Sequence, residues 1–181
     1  LSPYAVSKLA AEQYVGLIGR LAGLETVCLR IFNAYGPGQQ LPVAHPPVIP
    51  HFLHQVLGQG SLVVHGTGAQ TRDFVYVDDV VDALAAAATA PDVNQRVINV
   101  GSGTETSVND LVRHIEAITG REAHVLRVNE QSSGVSRMCA DLTLARDLLD
   151  WTPKVFLEEG LRRTLAEDER FASRAANGQQ A

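Results

Sequence analysis

Cysteine is scarce in this chain, with two in 181 residues. Cys28 and Cys139 sit in apolar segments and match no zinc-ligand spacing, so they are expected to be buried free thiols in a reducing cytoplasm. An excess of positive charge is missing too: 15 basic residues stand against 20 acidic ones, for a net charge of −5. That argues against a nucleic-acid backbone as the main partner, which requires a basic patch. It leaves room for one small phosphorylated ligand held by one or two arginines. Long apolar runs are absent. The longest candidate, Leu84 to Ala90, is alanine-rich and far below the ~20 residues of a membrane span, so no membrane partner is expected. The sequence shows no signal peptide, no internal repeat and no low-complexity linker. It lacks an initiator methionine, and its opening, Leu1-Ser2-Pro3, reads as the middle of a longer sequence. The histidines form no metal pattern, since His51 and His54 share an expected helix with no third ligand nearby. A Ser-His-Asp hydrolase elbow is also missing.

What is present describes an ordinary globular chain, 45% apolar and 19% charged. Its length is about one domain's worth on a prior of ~100–200 residues. Ser2 suits a helix cap and Pro3 a first turn, and Val6, Leu9, Ala10, Tyr14, Leu17 and Ile18 recur at helical spacing, so a helix is expected from Pro3 to Ala22, ended by Gly23. Thr26 to Phe32 reads as a mostly buried strand of the kind parallel sheets cover on both faces. The Gly/Pro-rich stretch from Tyr35 to Pro47 is a long loop, and loops of that length are usually functional or disordered. A helix over Pro50–Leu57, a strand over Leu62–His65 and a segment Arg72–Val77 follow, the last leading into a helix over Val80–Ala90 that Asp78 and Asp79 open. Further strands are expected at Arg96–Val100 and His124–Val128, and a helix capped by Ser107 runs to Thr119. A short helix over Leu142–Leu149 and a last amphipathic one over Leu157–Ala175 complete the set, with Asn177–Ala181 disordered. Alternating strands and helices define an α/β class with a largely parallel sheet. That sheet is incomplete, because few strands read as fully buried.

Tyr4 and Lys8 form a Tyr-x-x-x-Lys pair, which places both on one face of the first helix, one turn apart. A free tyrosine, with a pKa near ~10, is a poor base at neutral pH, and a neighbouring ammonium favours its phenolate. Such a pair can take a proton from an alcohol while another group accepts a hydride. Taken alone, the same spacing also describes a surface pair. Gly101-Ser102-Gly103 follows a strand and precedes a helix like a dinucleotide fingerprint, but the third glycine is absent, so a structural turn is expected there.

The blocks Ser2-Pro3-Tyr4-Ala5-Val6-Ser7-Lys8-Leu9-Ala10-Ala11-Glu12 and Leu29-Arg30-Ile31-Phe32-Asn33-Ala34-Tyr35-Gly36-Pro37-Gly38-Gln39 resemble the extended short-chain dehydrogenase/reductase superfamily. Within it they look most like the NAD-dependent nucleotide-sugar epimerases and dehydratases. The likeness continues in order through Val48-Ile49-Pro50, Gly66 to Val80, Asn99 to Gly103, Ala140-Asp141 and Leu149 to Pro153. It implies an incomplete Rossmann-like parallel sheet plus a smaller α/β substrate-binding domain. Residues 1–35 and 76–100 would then belong to the NAD-binding domain, 36–75 to a substrate-binding segment and 101–176 to the substrate-binding domain.

The resemblance implies that Tyr4 is the base and that Lys8 holds the nicotinamide ribose and assists Tyr4. It places Phe32 beside the nicotinamide, and Asn33 and the backbone around Val48 near the substrate diphosphate. Arg72 would serve the nucleotide phosphates or ribose, and Val64 the base. Read from the residues alone, Arg72 is also a surface partner for Asp73 or Asp78, and Asn33 a turn residue. The partner implied is a nucleotide-diphosphate sugar, in a cytoplasmic homodimer formed through the first helix. The family's Gly-rich dinucleotide turn would precede Leu1, so the isolated chain is expected to be inactive. Where the family usually has Arg-x-Gly-Asp, this chain has Gln131-Ser132-Ser133-Gly134, which points to a different or more weakly bound sugar nucleotide, with Arg137 a substitute for the missing arginine. The wording Ile31 to Tyr35 is more epimerase-like than dehydratase-like. A nucleotide-sugar 4,6-dehydratase and a non-catalytic binding remnant are the alternatives.

Overall fold

The computed structural model describes residues 2–129 and 135–177. Helix α1 spans Pro3–Ala22; Ser2 Oγ accepts the Ala5 N–H, and Gly23 closes the helix in the left-handed conformation (φ 65°), returning its N–H toward Gly19. Strand β1 (Val27–Ile31) pairs in parallel with β6 (Arg96–Val100), Val27 facing Arg96 and Ile31 facing Val100. One residue on, the chain changes partner. Phe32 gives its N–H to Val100 O, while Asn33, whose N–H points the other way, gives it to Asp73 O. Strand β2 (Asn33–Tyr35) thereby runs parallel to β5 (Phe74–Tyr76). Strands β3 (Ser61–His65) and β8 (His124–Val128) form a third parallel pair, and β4 (Thr71–Arg72) and β7 (Thr106–Ser107) an antiparallel one.

The helices between them are α2 (Val48–Leu57), α3 (Val77–Thr89), α4 (Val108–Thr119), α5 (Thr143–Leu149), α6 (Leu157–Glu167) and α7 (Glu169–Asn177). Two hydrophobic cores result. The first gathers Ile49, Phe52, Leu53 and Val56 of α2, Leu62 and Val64 of β3, Leu111 and Ile115 of α4, Leu161 and Phe171. The second gathers Val80, Ala83 and Ala87 of α3, Ile98 and Val100 of β6, Ala145, Leu149 and Trp151. Strand β5 serves both, because alternate side chains of a strand leave on opposite faces: Phe74 and Tyr76 enter the first core and Val75 the second.

Several expectations change. β1 is half-buried rather than covered on both faces, and Arg30 and Ile31 are exposed, because among the described residues it pairs with β6 alone. Helix α2 starts at Val48, two residues early, since Pro50 in a first turn forfeits no helical hydrogen bond. The last helix is two, broken at Asp168, whose carboxylate turns inward to accept hydrogen bonds from Gly38 N and the Arg170 guanidinium. Cys139 is exposed and Cys28 half-buried; both are free. Asn177 ends α7, and residues 178–181 of the expected tail lie outside the described ones, as do Gln131 to Gly134. No helix among the described residues is long and apolar enough to cross a membrane.

Candidate active site

Tyr4, Lys8, Glu12 and Val15 recur at helical spacing and line one side of a cleft of about 670 Å³ between α1 and β1. Cys28, Leu29, Arg30 and Ile31 of β1 line the other. Tyr4 is 71% exposed, with its ring open to the cleft. Lys8 Nζ stands 5.5 Å from the centroid of that ring, and both residues line the cleft. Along the same cleft, Arg30 grips Glu12 with two parallel hydrogen bonds of 2.8 Å, and that bond holds the Glu12 carboxyl below its ordinary range. Burial, together with the Glu12 charge, pushes the Cys28 thiol up.

A second group lies where the chain changes strand partner. Asn33 opens β2 directly after Phe32, which is half-buried against the second core. Arg72 closes β4, and its Nη1 donates to Thr71 O at 2.7 Å and Val135 O at 2.9 Å, so its recorded bonds go to carbonyls rather than to Asp73 or Asp78. Val48 begins α2 and packs on the first core. Val64 is 1% exposed inside that core, with no face left for a ligand. Arg137 is held by Glu105 at 3.0 and 3.1 Å.

The Gly101-Ser102-Gly103 turn has the donor geometry of an anion site, and it is filled from within. Asp73, fully buried, accepts from Ser102 N at 2.6 Å, Ser102 Oγ at 2.8 Å and Gly103 N at 3.0 Å. The turn is therefore structural. Sequence reasoning missed Asp73, and missed that Asp79 caps nothing locally but accepts from Lys154 N and Val155 N, across the chain. Neither residue has a local pattern, because the partners are backbone groups far away in sequence. Asp168 combines one distant backbone partner, Gly38 N, with the guanidinium of Arg170 two residues on.

Among the described residues a dinucleotide finds a partial fit. The α1–β1 cleft offers an apolar floor, a phenol and an ammonium, which suit a nicotinamide and its ribose. The Gly101-Ser102-Gly103 turn is occupied by Asp73 and offers nothing to a pyrophosphate.

The class is set by the fold, a parallel α/β core with a Tyr-x-x-x-Lys pair lining a cleft, and by the relatives it matches. Residues 1–101 match the NAD dependent epimerase/dehydratase family, and the chain belongs to that family. It is 37% identical over 165 residues to a putative UDP-glucose 4-epimerase of Methanocaldococcus jannaschii, covering 91% of this chain and 52% of that protein. The UDP-glucose 4-epimerase of Thermotoga maritima, solved with UDP-glucose, superposes with a TM-score of 0.84 at 36% identity, over 91% of this chain and 52% of its own. MoeE5, solved with UDP-glucuronic acid and NAD, gives 0.81 at 34% identity over 89% and 53%. The chain thus spans about half the length of the relatives it matches.

Proposed function

We propose that this chain carries the proton-transferring and substrate-orienting part of an NAD-dependent nucleotide-sugar epimerase acting at C4 of the sugar. The observation that carries the reading is the joint placement of Tyr4 and Lys8 on the α1 wall of the cleft. NAD, when bound there, supplies reversible hydride acceptance. Tyr4 Oη takes the proton of the sugar hydroxyl and later returns it. Lys8 would hydrogen-bond the cofactor ribose, with its ammonium beside the phenol. Phe32, which follows the cleft-lining Ile31, would lie beside the nicotinamide. Asn33, the backbone at Val48 and the Arg72 fork hold the diphosphate, for which a guanidinium makes charge-assisted bonds. With binding concentrated on the nucleotide, the sugar is left free to turn and present its other face. Val64 has no part, because it is a core residue.

The reading places the protein in the cytoplasm as a homodimer, formed through the face of α1 on which Tyr14, Leu17, Ile18 and Leu21 are exposed.

Two measurements test the function. The chain should bind UDP-glucose by calorimetry, and Arg72→Ala should weaken binding roughly tenfold or more, the worth of a lost charge-assisted contact. No detectable binding refutes the substrate class. The chain alone should show no turnover with NAD and UDP-glucose. Joined in place of the matching half of the Thermotoga enzyme, it should interconvert UDP-glucose and UDP-galactose. Tyr4→Phe should then lower kcat by on the order of 100-fold or more while KM holds, as expected for a general base. A 4-keto-6-deoxy product instead would identify a dehydratase.

A further inference from the structure

The Asp73 carboxylate ties its own segment to two others, Ser102–Gly103 and Ala140, through four donors. One carboxylate oxygen accepts from Ser102 N and Ser102 Oγ; the other accepts from Gly103 N and, at 2.9 Å, from Ala140 N. All four donors are neutral, so the charge is held by hydrogen bonds alone and has no freedom to swing. The packing around it is closed. A Cβ on Gly101 would stand 2.9 Å from Asp73 Oδ2 and 2.6 Å from the Ala140 methyl.

The main chain of the same residue faces the proposed ligands of the diphosphate. Asp73 O accepts the Asn33 N–H at 3.1 Å, and the residue before it is Arg72. Arg72 is steadied from its far end by the carbonyls of Thr71 and Val135. Fixing the Asp73 side chain therefore fixes a peptide that bears one ligand and hydrogen-bonds the strand bearing the other.

We propose that Asp73 is a positioning residue for the nucleotide diphosphate: pinned in the Gly101-Ser102-Gly103 turn, it keeps Asn33 and Arg72 at the fixed separation two adjacent phosphates require. The inference rests on the reading of Asn33 and Arg72 given above. Interactions of this kind are lost steeply when their supports shift by even ~1 Å. Gly101 to Gly103 thus serves the substrate indirectly, through an internal carboxylate, rather than as an anion site of its own.

The test compares UDP with UMP on the chain and on Asp73→Asn and Ser102→Ala, by calorimetry with melting curves alongside. Asp73→Asn keeps the size but turns an NH2 toward backbone N–H groups. Its UDP affinity should fall about tenfold, and its UMP affinity by less than about twofold, so that the preference for the second phosphate collapses. Ser102→Ala keeps the charge and removes one of the four bonds. It should move the UDP-to-UMP ratio in the same direction by about two- to threefold, and it carries the test if Asp73→Asn fails to fold. Folded variants that melt earlier yet keep the parent ratio would make Asp73 a purely structural residue and overturn the proposal. A parent chain that binds neither nucleotide would instead overturn the underlying ligand reading, and this inference with it.

Discussion

At the scale of single residues, three buried carboxylates tie distant parts of the chain together, and Asp168 is the one paired with a guanidinium. It accepts from Gly38 N at 2.8 Å and from Arg170 Nε at 2.8 Å and Nη2 at 2.6 Å, while Arg170 also reaches Gln39 O at 2.8 Å. The Arg170 bonds, aided by Gly38 N, pull its carboxyl down from 3.8 to about 2. The folded form thus binds the proton less readily than the unfolded chain. Stability from this group is complete above about pH 4 and drains away as pH falls toward 2. Asp168→Asn should cost about 2 kcal/mol at neutral pH, and the gap between the two melting temperatures should narrow below pH 3. A gap constant with pH would contradict that assignment. None of the three carboxylates was legible in the sequence, where each resembles any surface aspartate. Tyr4 and Lys8 were legible, because both lie on one helix and their spacing alone fixes a shared face.

At the scale of elements, legibility followed the locality of the cause. The ends of α1 were readable because Ser2, Pro3 and Gly23 act within a turn of themselves. The start of α4 was readable for the same reason, since Ser107 Oγ accepts the Asp110 N–H. The α6–α7 break was not, because it depends on a loop 130 positions earlier in the chain. Helix α6 offers a test of packing against propensity. Gly160 lies inside it, where alanine normally gains ~1 kcal/mol of helix stability. Here a Cβ would stand 2.9 Å from the Tyr76 ring and closer still to Tyr35 Oη. Tyr35 is buried, holds Leu157 O at 3.2 Å and has its phenol pushed up by that burial, so it cannot withdraw cheaply. Overpacking of this kind costs ~1–3 kcal/mol, so Gly160→Ala should lower the melting temperature despite its better propensity. A rise would show that Tyr35 yields.

At the scale of the whole molecule, the α/β class was readable from alternation, but the division of labour between two cores was not. Periodicity reports which residues are inside, not which inside they share. The exposed apolar residues of α1 set the remaining expectation. Tyr14 is 64% exposed, Ile18 54% and Leu21 79%, on a helix of which only Gly19 is buried. Apolar surface concentrated in this way is what the proposed homodimer would cover. Sedimentation should find a dimer that Leu17→Glu with Ile18→Lys converts to monomer; a wild-type monomer at all concentrations would dismiss the α1 interface.

The alternation along β5 has a further consequence. Three consecutive side chains divide between two cores, so this short strand works as a hinge pin whose phase, more than its composition, must be kept. Conservative swaps at Phe74 or Val75 would disturb one compartment at a time. An insertion or deletion of one residue just ahead of Phe74 would reverse the phase, sending the Phe74 and Tyr76 side chains toward the second core and Val75 toward the first. The length of the chain entering β5 is therefore constrained more tightly than the chemistry along it.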